Sequence, residues 1–232
     1  MLVSKAVSKR TAKPKIKPAL SVYVLLDRSG SMSDRWGEAL SSINSYVREL
    51  KASSAAVVTL ATFDTHVSSY LAKDENPFKF EVIRNGVSAS RWNPVTVSEV
   101  KPRGGTPLYD AFGRIVELAD TRNAERTIIV VMTDGQNNAS VSLSAYDAKR
   151  LVNQCQAKDW QVVFLGAEFD AREQAAVIGV GYANTLNMAR GFYGSATQTL
   201  SGLSAQYAAT GATMGFTDED RAKAGSFAGN PK

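Results

Sequence analysis

Four short apolar runs, separated by segments of helical periodicity, determine the class of fold open to this chain. They lie at 19–26, 55–63, 127–133 and 160–166, and several of them, 19–26 and 127–133 in particular, are apolar on both faces. Strands of that kind are typical of parallel sheets covered by helices on both sides. The pattern therefore predicts an α/β fold that is doubly wound, with a mostly parallel central sheet and helices on both faces.

Helical periodicity follows three of these runs. It covers 35–51, a segment that begins at Pro107, and the segment 145–155. Proline suits the first turn of a helix, where a backbone N–H is not needed for the helical ladder. Cys155 falls on the apolar stripe of the third segment, which predicts a thiol packed in the core rather than a reactive one.

The segments between these elements have weaker patterns. Residues 65–72 are a predicted strand beside 55–63, whereas 73–105 are predicted to be irregular, with at most a short edge strand in FKFEVI. Further along the chain, 171–179 is a predicted short helix and 182–188 a predicted last strand. Strands that alternate with helices in this way fit a single layered sheet.

The positive charge of the chain is concentrated at its N-terminus. The net charge is +5, but residues 1–17 hold six basic residues and no acid, which leaves the remainder at −1. We expect 1–18 to be a flexible basic arm, 19–188 the folded domain and 189–232 a Gly/Ala/Thr-rich extension, with a short helix capped by Thr217. The arm is either a solubilising leader or a contact for nucleic acid or an acidic surface.

Composition excludes several classes of protein. One cysteine cannot form an intrachain disulfide framework. No apolar run approaches the roughly 18 residues of a membrane span, so no membrane contact is expected. The basic N-terminus lacks the apolar segment of a secretory signal. We therefore expect a soluble protein.

Oxygen-bearing side chains follow the first apolar run directly. Asp27, Ser29 and Ser31 alternate in DRSGS. Thr106 in GGTPLYDA precedes a predicted helix, and Asp134 in TDG follows a predicted strand. Because such segments meet at the carboxyl edge of a parallel sheet, two carboxylates and three hydroxyls should converge there. A set without sulfur or nitrogen suits Mg²⁺, with Mn²⁺ and Ca²⁺ as alternatives.

The three motifs, in this order and spacing, resemble the metal-ion-dependent adhesion site of the von Willebrand factor type A family. The alternation of strands and helices over 19–188 is similar as well. The resemblance implies a doubly wound, Rossmann-like fold. The Arg28 form of the first motif and the GGTPLYDA loop resemble bacterial and phage members more than integrin inserts. Neither the basic arm nor the extension belongs to the family pattern.

The resemblance also implies a role for each of five residues. Ser29 and Ser31 would bind the metal directly, and Thr106 would bind it directly or through water, according to state. Asp27 and Asp134 would act mainly through water. Because few charges would then touch the cation directly, it would still attract a carboxylate, and an Asp or Glu of a partner protein would complete its coordination.

Two other interpretations compete with a metal site. Asp27 and the serines could simply cap the following helix, but that leaves Thr106 and Asp134 unexplained. A magnesium-dependent hydrolase would need a general base and a substrate pocket, and a dehalogenase-type phosphatase would need a second Asp at Ser29. The sequence contains neither a P-loop motif nor G-x-S-x-G. We therefore expect no enzymatic activity.

The expected function is metal-dependent binding of a partner protein. One setting is a cytoplasmic scaffold, as in bacterial members that accompany tellurite-resistance or ATPase systems. The other is a structural or accessory component of a phage particle, located in the virion and using arm and extension for assembly. An oligomer is compatible with both. Asp64 and Asp110 are candidates for supporting the site from outside, and the lone His66 is expected to be structural or exposed.

Overall fold

The computed structural model describes residues 19–53, 55–66, 77–122, 124–167 and 171–226. Within these ranges the strands are β1 Leu20–Asp27, β2 Ala56–Thr65, β3 Phe78–Ser88, β4 Arg126–Thr133, β5 Gln161–Ala167 and β6 Thr185–Met188. The α-helices are α1 Trp36–Ser53, α2 Leu108–Asp120, α3 Ala145–Ala157, α4 Ala171–Val177, α5 Tyr193–Thr210 and α6 Asp218–Lys223. A 3-10 turn, Gly30–Arg35, leads into α1.

The strands form one sheet in the order β3-β2-β1-β4-β5-β6. Neighbouring strands are parallel except for the antiparallel pair β2–β3. Strands β2 and β3 therefore lie on one side of β1, and β4, β5 and β6 lie on the other side. In doubly wound sheets this change of side opens a crevice at the carboxyl ends of the two central strands. The predicted α/β fold is confirmed.

Both faces of the central strand β1 are covered. Val22, Val24 and Leu26 pack into a core shared with α1 and α5, whereas Tyr23 and Leu25 pack into a second core with α2, α3 and α4. All eight residues of β1 are buried. This double burial is why the run is apolar at nearly every position, as is usual in parallel sheets.

The segment between β2 and α2 differs from the prediction. Of the predicted strand 65–72, residues 67–72 lie outside the described part of the chain, and His66 is exposed after the end of β2. The strand that pairs with β2 is instead β3, which has eleven residues rather than a few. Its side chains are half-buried or exposed, with Lys79, Glu81 and Arg84 among them, so its hydrophobic pattern is weak.

Helix α5 packs against α1, although its many small and polar residues are not typical of a helix buried in a core. Tyr193, Leu200 and Tyr207 are buried in the same core as β1. The hydroxyls of Tyr46 on α1 and Ser204 on α5 lie 2.8 Å apart in a buried hydrogen bond. Residues within the predicted extension 189–232 thus contribute to the main core.

Three local expectations can be compared directly with the structure. Cys155 is buried as predicted, and burial raises the pKa of its thiol to about 12. Thr217 begins α6 as predicted and shares a capping box with Asp220. Among the described residues, none of the helices has the length and apolarity needed to cross a membrane.

Candidate metal site

The DRSGS and TDG motifs meet at the carboxyl edge of the sheet, where the two central strands end. Asp27 is the last residue of β1, and Thr133 is the last residue of β4, directly before Asp134. The chain after Asp27 turns into the 3-10 segment that leads to α1. Because β1 and β4 are adjacent and parallel, their ends present these residues side by side.

Hydrogen bonds join four of the five predicted site residues. The Oγ atoms of Ser29 and Ser31 lie 3.0 Å apart, and Ser31 Oγ donates to Asp134 Oδ1 at 2.7 Å. Asp27 Oδ1 accepts the backbone N–H of Ser29 at 2.7 Å, and its Oδ2 accepts the Thr133 hydroxyl at 2.6 Å. Two carboxylates and two hydroxyls predicted from separate motifs are therefore within one connected cluster.

The loop that carries Thr106 lies between the other two. The backbone N–H of Thr106 donates to Asn138 Oδ1 at 2.8 Å, and the N–H of Asn138 donates to the Thr106 carbonyl at 3.1 Å. A β-carbon built at Gly135 would lie 4.0 Å from Thr106 Oγ1. On the other side, the N–H of Gly30 donates to the Gly104 carbonyl at 3.0 Å. The structure thus places the Thr106 hydroxyl beside the loop that begins at Asp134.

The two glycines before Thr106 fit against the end of β2. Gly104 has φ +66°, and a β-carbon there would lie 1.7 Å from the carbonyl oxygen of Thr65. The N–H of Gly105 donates to Thr65 Oγ1 at 2.7 Å, and the N–H of Thr65 donates to the Gly105 carbonyl at 3.2 Å. A side chain at position 104 would therefore push this loop away from the sheet.

Asp27 is a carboxylate without access to solvent. Its pKa is raised to about 6, mainly by burial and also by the nearby charge of Asp134, although hydrogen bonds from Thr133 and Ser29 oppose the rise. Burial penalises the ionised form because the protein interior solvates a charge poorly. A cation beside this carboxylate would offset that penalty.

The donor set fits a hard divalent cation. Two ligands at right angles on Mg²⁺, each about 2.1 Å from the ion, are about 3.0 Å apart. The Oγ atoms of Ser29 and Ser31 have this separation. In the described part of the chain no three His, Cys, Asp or Glu side chains cluster, so an ion here would depend on hydroxyl oxygens. Ser29 and Ser31 could hold such an ion, with Asp27 and Asp134 supplying negative charge behind them.

Capping of the 3-10 turn does not account for this arrangement. Ser29 precedes the turn, yet among the described residues its side chain makes no capping hydrogen bond. Ser33 instead bonds the Gly30 carbonyl at 2.7 Å from within the turn. The side chains of Ser29 and Ser31 are oriented toward each other and toward Asp134.

An arginine on the first loop contacts the last site residue. Arg35 Nη1 lies 2.6 Å from Asp134 Oδ2, opposite the oxygen bonded by Ser31. The Asp134 side chain is fully buried and that of Arg35 is 15% exposed. Nothing local in the sequence indicates this pair, because its members are 99 residues apart.

Asp64, an expected supporting acid, binds two arginines. Arg28 Nη2 lies 3.1 Å from Asp64 Oδ1, and Arg103 Nε donates to Asp64 Oδ2. Arg28 also reaches Glu81 on β3 at 2.8 Å. The backbone N–H of Arg103 donates to the Arg28 carbonyl at 2.7 Å. Asp64 therefore connects the loop of Ser29 with the loop of Thr106.

Asp110, the other expected supporting acid, orders the loop that follows Asp134. Its carboxylate accepts the backbone N–H groups of Val141 at 2.8 Å, Ser142 at 3.1 Å and Leu143 at 2.7 Å. A carboxylate that accepts several backbone N–H groups fixes the course of a loop strongly. Asp110 thus supports the site at a distance.

Comparison with solved structures identifies similar folds at low sequence identity. The von Willebrand factor domain of the type V pili tip protein Mfa5 from Porphyromonas gingivalis aligns with a TM-score of 0.61 at 10% identity, covering 88% of this chain and 99% of that one. The pilus adhesin SpaC from Lactobacillus rhamnosus GG aligns with a TM-score of 0.58 at 11% identity, covering 84% of this chain and 30% of that one. Proximal thread matrix protein 1 from the mussel byssus aligns with a TM-score of 0.58 at 12% identity, covering 82% of this chain and 48% of that one.

These likenesses show the fold alone, and this chain spans less than half of the SpaC and mussel chains. No curated protein sequence matches the chain at a significant level. The sequence profile of the von Willebrand factor type A domain, however, matches residues 21–189. That segment runs from β1 through β6 and includes all three motifs. The chain therefore belongs to the von Willebrand factor type A domain family.

Proposed function

We propose that the protein is a non-enzymatic module that binds a partner protein through a divalent cation, with Mg²⁺ as the resident ion and Mn²⁺ or Ca²⁺ as substitutes. The observation that carries this proposal is the cluster of Ser29, Ser31 and Asp134 above the buried carboxylate of Asp27. Its oxygens converge where a doubly wound sheet opens its crevice. Mg²⁺ retains water ligands in such sites and can exchange one for an incoming group.

The chemistry of the cluster favours an acidic partner. Neutral hydroxyls would touch the ion, while the two carboxylates would lie behind them. An ion so held keeps most of its positive charge toward solvent, which attracts an Asp or Glu side chain. Thr106, on the loop between the other two motifs, would change between direct and water-mediated contact with the ion when that group binds.

Two observations favour binding over catalysis. Structural neighbours include a pilus tip protein, a pilus adhesin and a byssus thread protein, which are adhesive or structural proteins. Two cavities, of about 310 and 440 Å³, are lined by residues of α4, α6, β3 and α2, and none of the five predicted site residues lines either of them. Neither of these two cavities would therefore serve as a substrate pocket at the predicted metal site.

The setting of this module is either a cytoplasmic scaffold or a phage particle. The basic residues 1–17, which precede the described part of the chain, would suit a virion component in contact with nucleic acid. Capture of partners from host lysate, compared with capture from purified particles, would distinguish the two settings. An oligomer would appear as a mass above that of one chain in light scattering.

Metal binding and partner capture can be tested together. Wild type should bind one Mn²⁺ per chain in titration calorimetry, and Asp27→Ala or Ser29→Ala should reduce affinity more than about tenfold. Ser33→Ala is the matched control, because Ser33 is exposed, lies in the same turn and donates its hydroxyl to the Gly30 carbonyl rather than to a predicted site residue. Partner capture should be abolished by EDTA. Unchanged Mn²⁺ binding in both site variants would contradict the proposal.

A magnesium-dependent hydrolase is the alternative from another class. A screen of phosphate mono- and diesters with Mg²⁺ present addresses it directly. We expect turnover no higher for wild type than for Asp27→Ala. Hydrolysis that requires both Mg²⁺ and Asp27 would replace the binding function by an enzymatic one.

A further inference from the structure

Two groups share the carboxylate of Asp134. Ser31 Oγ donates to Oδ1 at 2.7 Å, and the Arg35 guanidinium donates to Oδ2 at 2.6 Å. Arg35 is the last residue of the 3-10 turn that begins at Gly30, so it follows Ser31 by only one turn of chain. The same short segment therefore supplies a hydroxyl to one oxygen of Asp134 and a full positive charge to the other.

The Asp134–Arg35 pair alters the charge that a metal ion would meet. Asp27 and Asp134 together offer two negative charges, and Arg35 cancels one of them. The Asp134 side chain is fully buried and Arg35 is 15% exposed, so solvent screens the pair only weakly. An ion bound to Ser29 and Ser31 would be repelled by the Arg35 guanidinium. The ion and the guanidinium would also both need the negative charge of Asp134.

We propose that Arg35 and the divalent cation compete for the charge of Asp134, so that Arg35 sets the metal affinity of the site. This inference rests on the proposed function and deepens it. In the metal-free protein Arg35 holds Asp134 in place. Once an ion binds, the positive charge of the ion and Arg35 together exceeds the negative charge of Asp27 and Asp134, and a carboxylate of a partner protein can neutralise the excess. Arg35 therefore makes the metal and the acidic partner bind cooperatively.

A simpler role for Arg35 predicts the opposite result. If the guanidinium only orients Asp134 for the metal, its removal should weaken metal binding. If it competes, its removal should strengthen metal binding. The sign of the change therefore separates the two roles.

The experiment measures Mn²⁺ affinity by titration calorimetry in wild type and five variants. Arg35→Gln should raise the affinity about tenfold, the size expected for removing one unit charge near a divalent ion in a partly screened site. Arg35→Lys, which keeps the charge, should stay within about threefold of wild type. Arg48→Gln removes an exposed positive charge from α1 and is the matched control, with no change expected.

The last two variants, Asp134→Asn alone and together with Arg35→Gln, test whether Arg35 acts through Asp134. In the Asp134→Asn background, Arg35→Gln should change Mn²⁺ affinity by less than about threefold, because the shared carboxylate is gone and no longer holds the guanidinium beside the ion. Thermal unfolding gives an independent readout. In EDTA, Arg35→Gln should melt below wild type, since a buried carboxylate has lost its cation, and Mn²⁺ should raise its midpoint more than that of wild type.

The outcomes separate this inference from the proposed function. Equal or weaker Mn²⁺ binding by Arg35→Gln, with wild type binding normally, overturns the competition and leaves the metal site standing. A rise for Arg35→Lys equal to that for Arg35→Gln also overturns it. Absence of Mn²⁺ binding in both wild type and Arg35→Gln overturns the proposed function itself.

Discussion

Arg28 and Arg103 bind opposite oxygens of one buried carboxylate, that of Asp64. Arg28 lies inside the first motif and Arg103 lies three residues before Thr106, so the acid connects two loops of the site. Arg28 is itself buried, and Asp64 at the end of β2 is fully buried. The shape of this part of the site is thus held by a charge network beneath it.

Breaking this network should destabilise the fold. Asp64→Asn leaves the buried guanidinium of Arg28 with only the half-exposed Glu81 as a charged partner, and we expect a loss of about 3 kcal/mol. Urea unfolding measures it. Glu117→Gln is the control, because its ion pair with Arg114 is exposed and should change stability by less than about 0.5 kcal/mol. Equal midpoints for both variants would show that Asp64 is not a structural anchor.

Two Gly→Ala substitutions should have opposite effects. Gly104→Ala forces a β-carbon at φ +66° against the Thr65 carbonyl, so we expect a loss of at least about 2 kcal/mol and weaker Mn²⁺ binding. Gly202→Ala lies in α5 with open space around it and should stabilise the protein by about 0.5 kcal/mol or more. Thermal unfolding compares them. A stable Gly104→Ala with intact metal binding would mean that the loop tolerates another path.

The metal-free protein should depend on pH through Asp27. Because burial raises its pKa in the folded state to about 6, the protonated form is favoured by folding. Its contribution to stability is complete below about pH 3.8, its unfolded pKa, and is lost as pH rises through about 6, a change of about 2 kcal/mol between pH 4 and 7.

Urea unfolding in EDTA, compared with Asp27→Asn, isolates this contribution from other titrating groups. The difference in stability between wild type and Asp27→Asn should favour wild type more at pH 4 than at pH 7. A difference that is constant over this range would show that the Asp27 carboxyl titrates normally.

Thr106→Ala should uncouple partner binding from metal binding. Its hydroxyl is beside the loop of Asp134, while Ser29 and Ser31 remain for the ion. We expect Mn²⁺ affinity within about threefold of wild type but partner capture reduced more than about tenfold. Asp134→Asn should instead weaken Mn²⁺ binding. Undiminished, EDTA-sensitive capture by Thr106→Ala would exclude the threonine as the coupling element.

The basic arm can be tested by truncation. Removing residues 1–17 takes away six positive charges and no part of the described core. If the arm binds phosphates, DNA affinity of the full chain should fall with salt with a log–log slope of up to about −5, and the shortened chain should bind little. Fluorescence anisotropy at two salt concentrations measures this. Equally weak binding by both forms would favour a solubilising leader.

The central strands and the meeting of DRSGS with TDG could be predicted because their signals are local. DRSGS directly follows a doubly buried run, and TDG follows another, so parallel topology alone brings Asp27 and Asp134 together. The full length of strand β3 was not predicted, because this edge strand mixes half-buried and charged side chains and so lacks a clear hydrophobic pattern. The burial of helix α5 in the main core was not predicted, because its contact with α1 uses small residues and a Tyr46–Ser204 hydrogen bond instead of a broad apolar stripe.

The charge network around the site had no such signal. Arg35 and Asp134 are 99 residues apart, and Arg28 and Asp64 are 36 apart, so their pairing depends on how the loops fold over the sheet. The sequence motifs predict which oxygen-bearing side chains meet at the site, but they do not predict which arginine side chains pair with them. Thr133, which donates to Asp27, was likewise counted only as a strand residue.

The direction of β1 has a consequence for what one molecule could connect. The strand starts at Leu20, shortly after the basic arm, and ends seven residues later at Asp27. At about 3.3 Å per residue, these two points are about 23 Å apart, at opposite ends of the strand. A protein captured near Asp27 would therefore contact the end of the sheet opposite to the one where the basic arm joins the domain. Binding by the arm and binding at the predicted metal site could then occur on the same molecule at the same time.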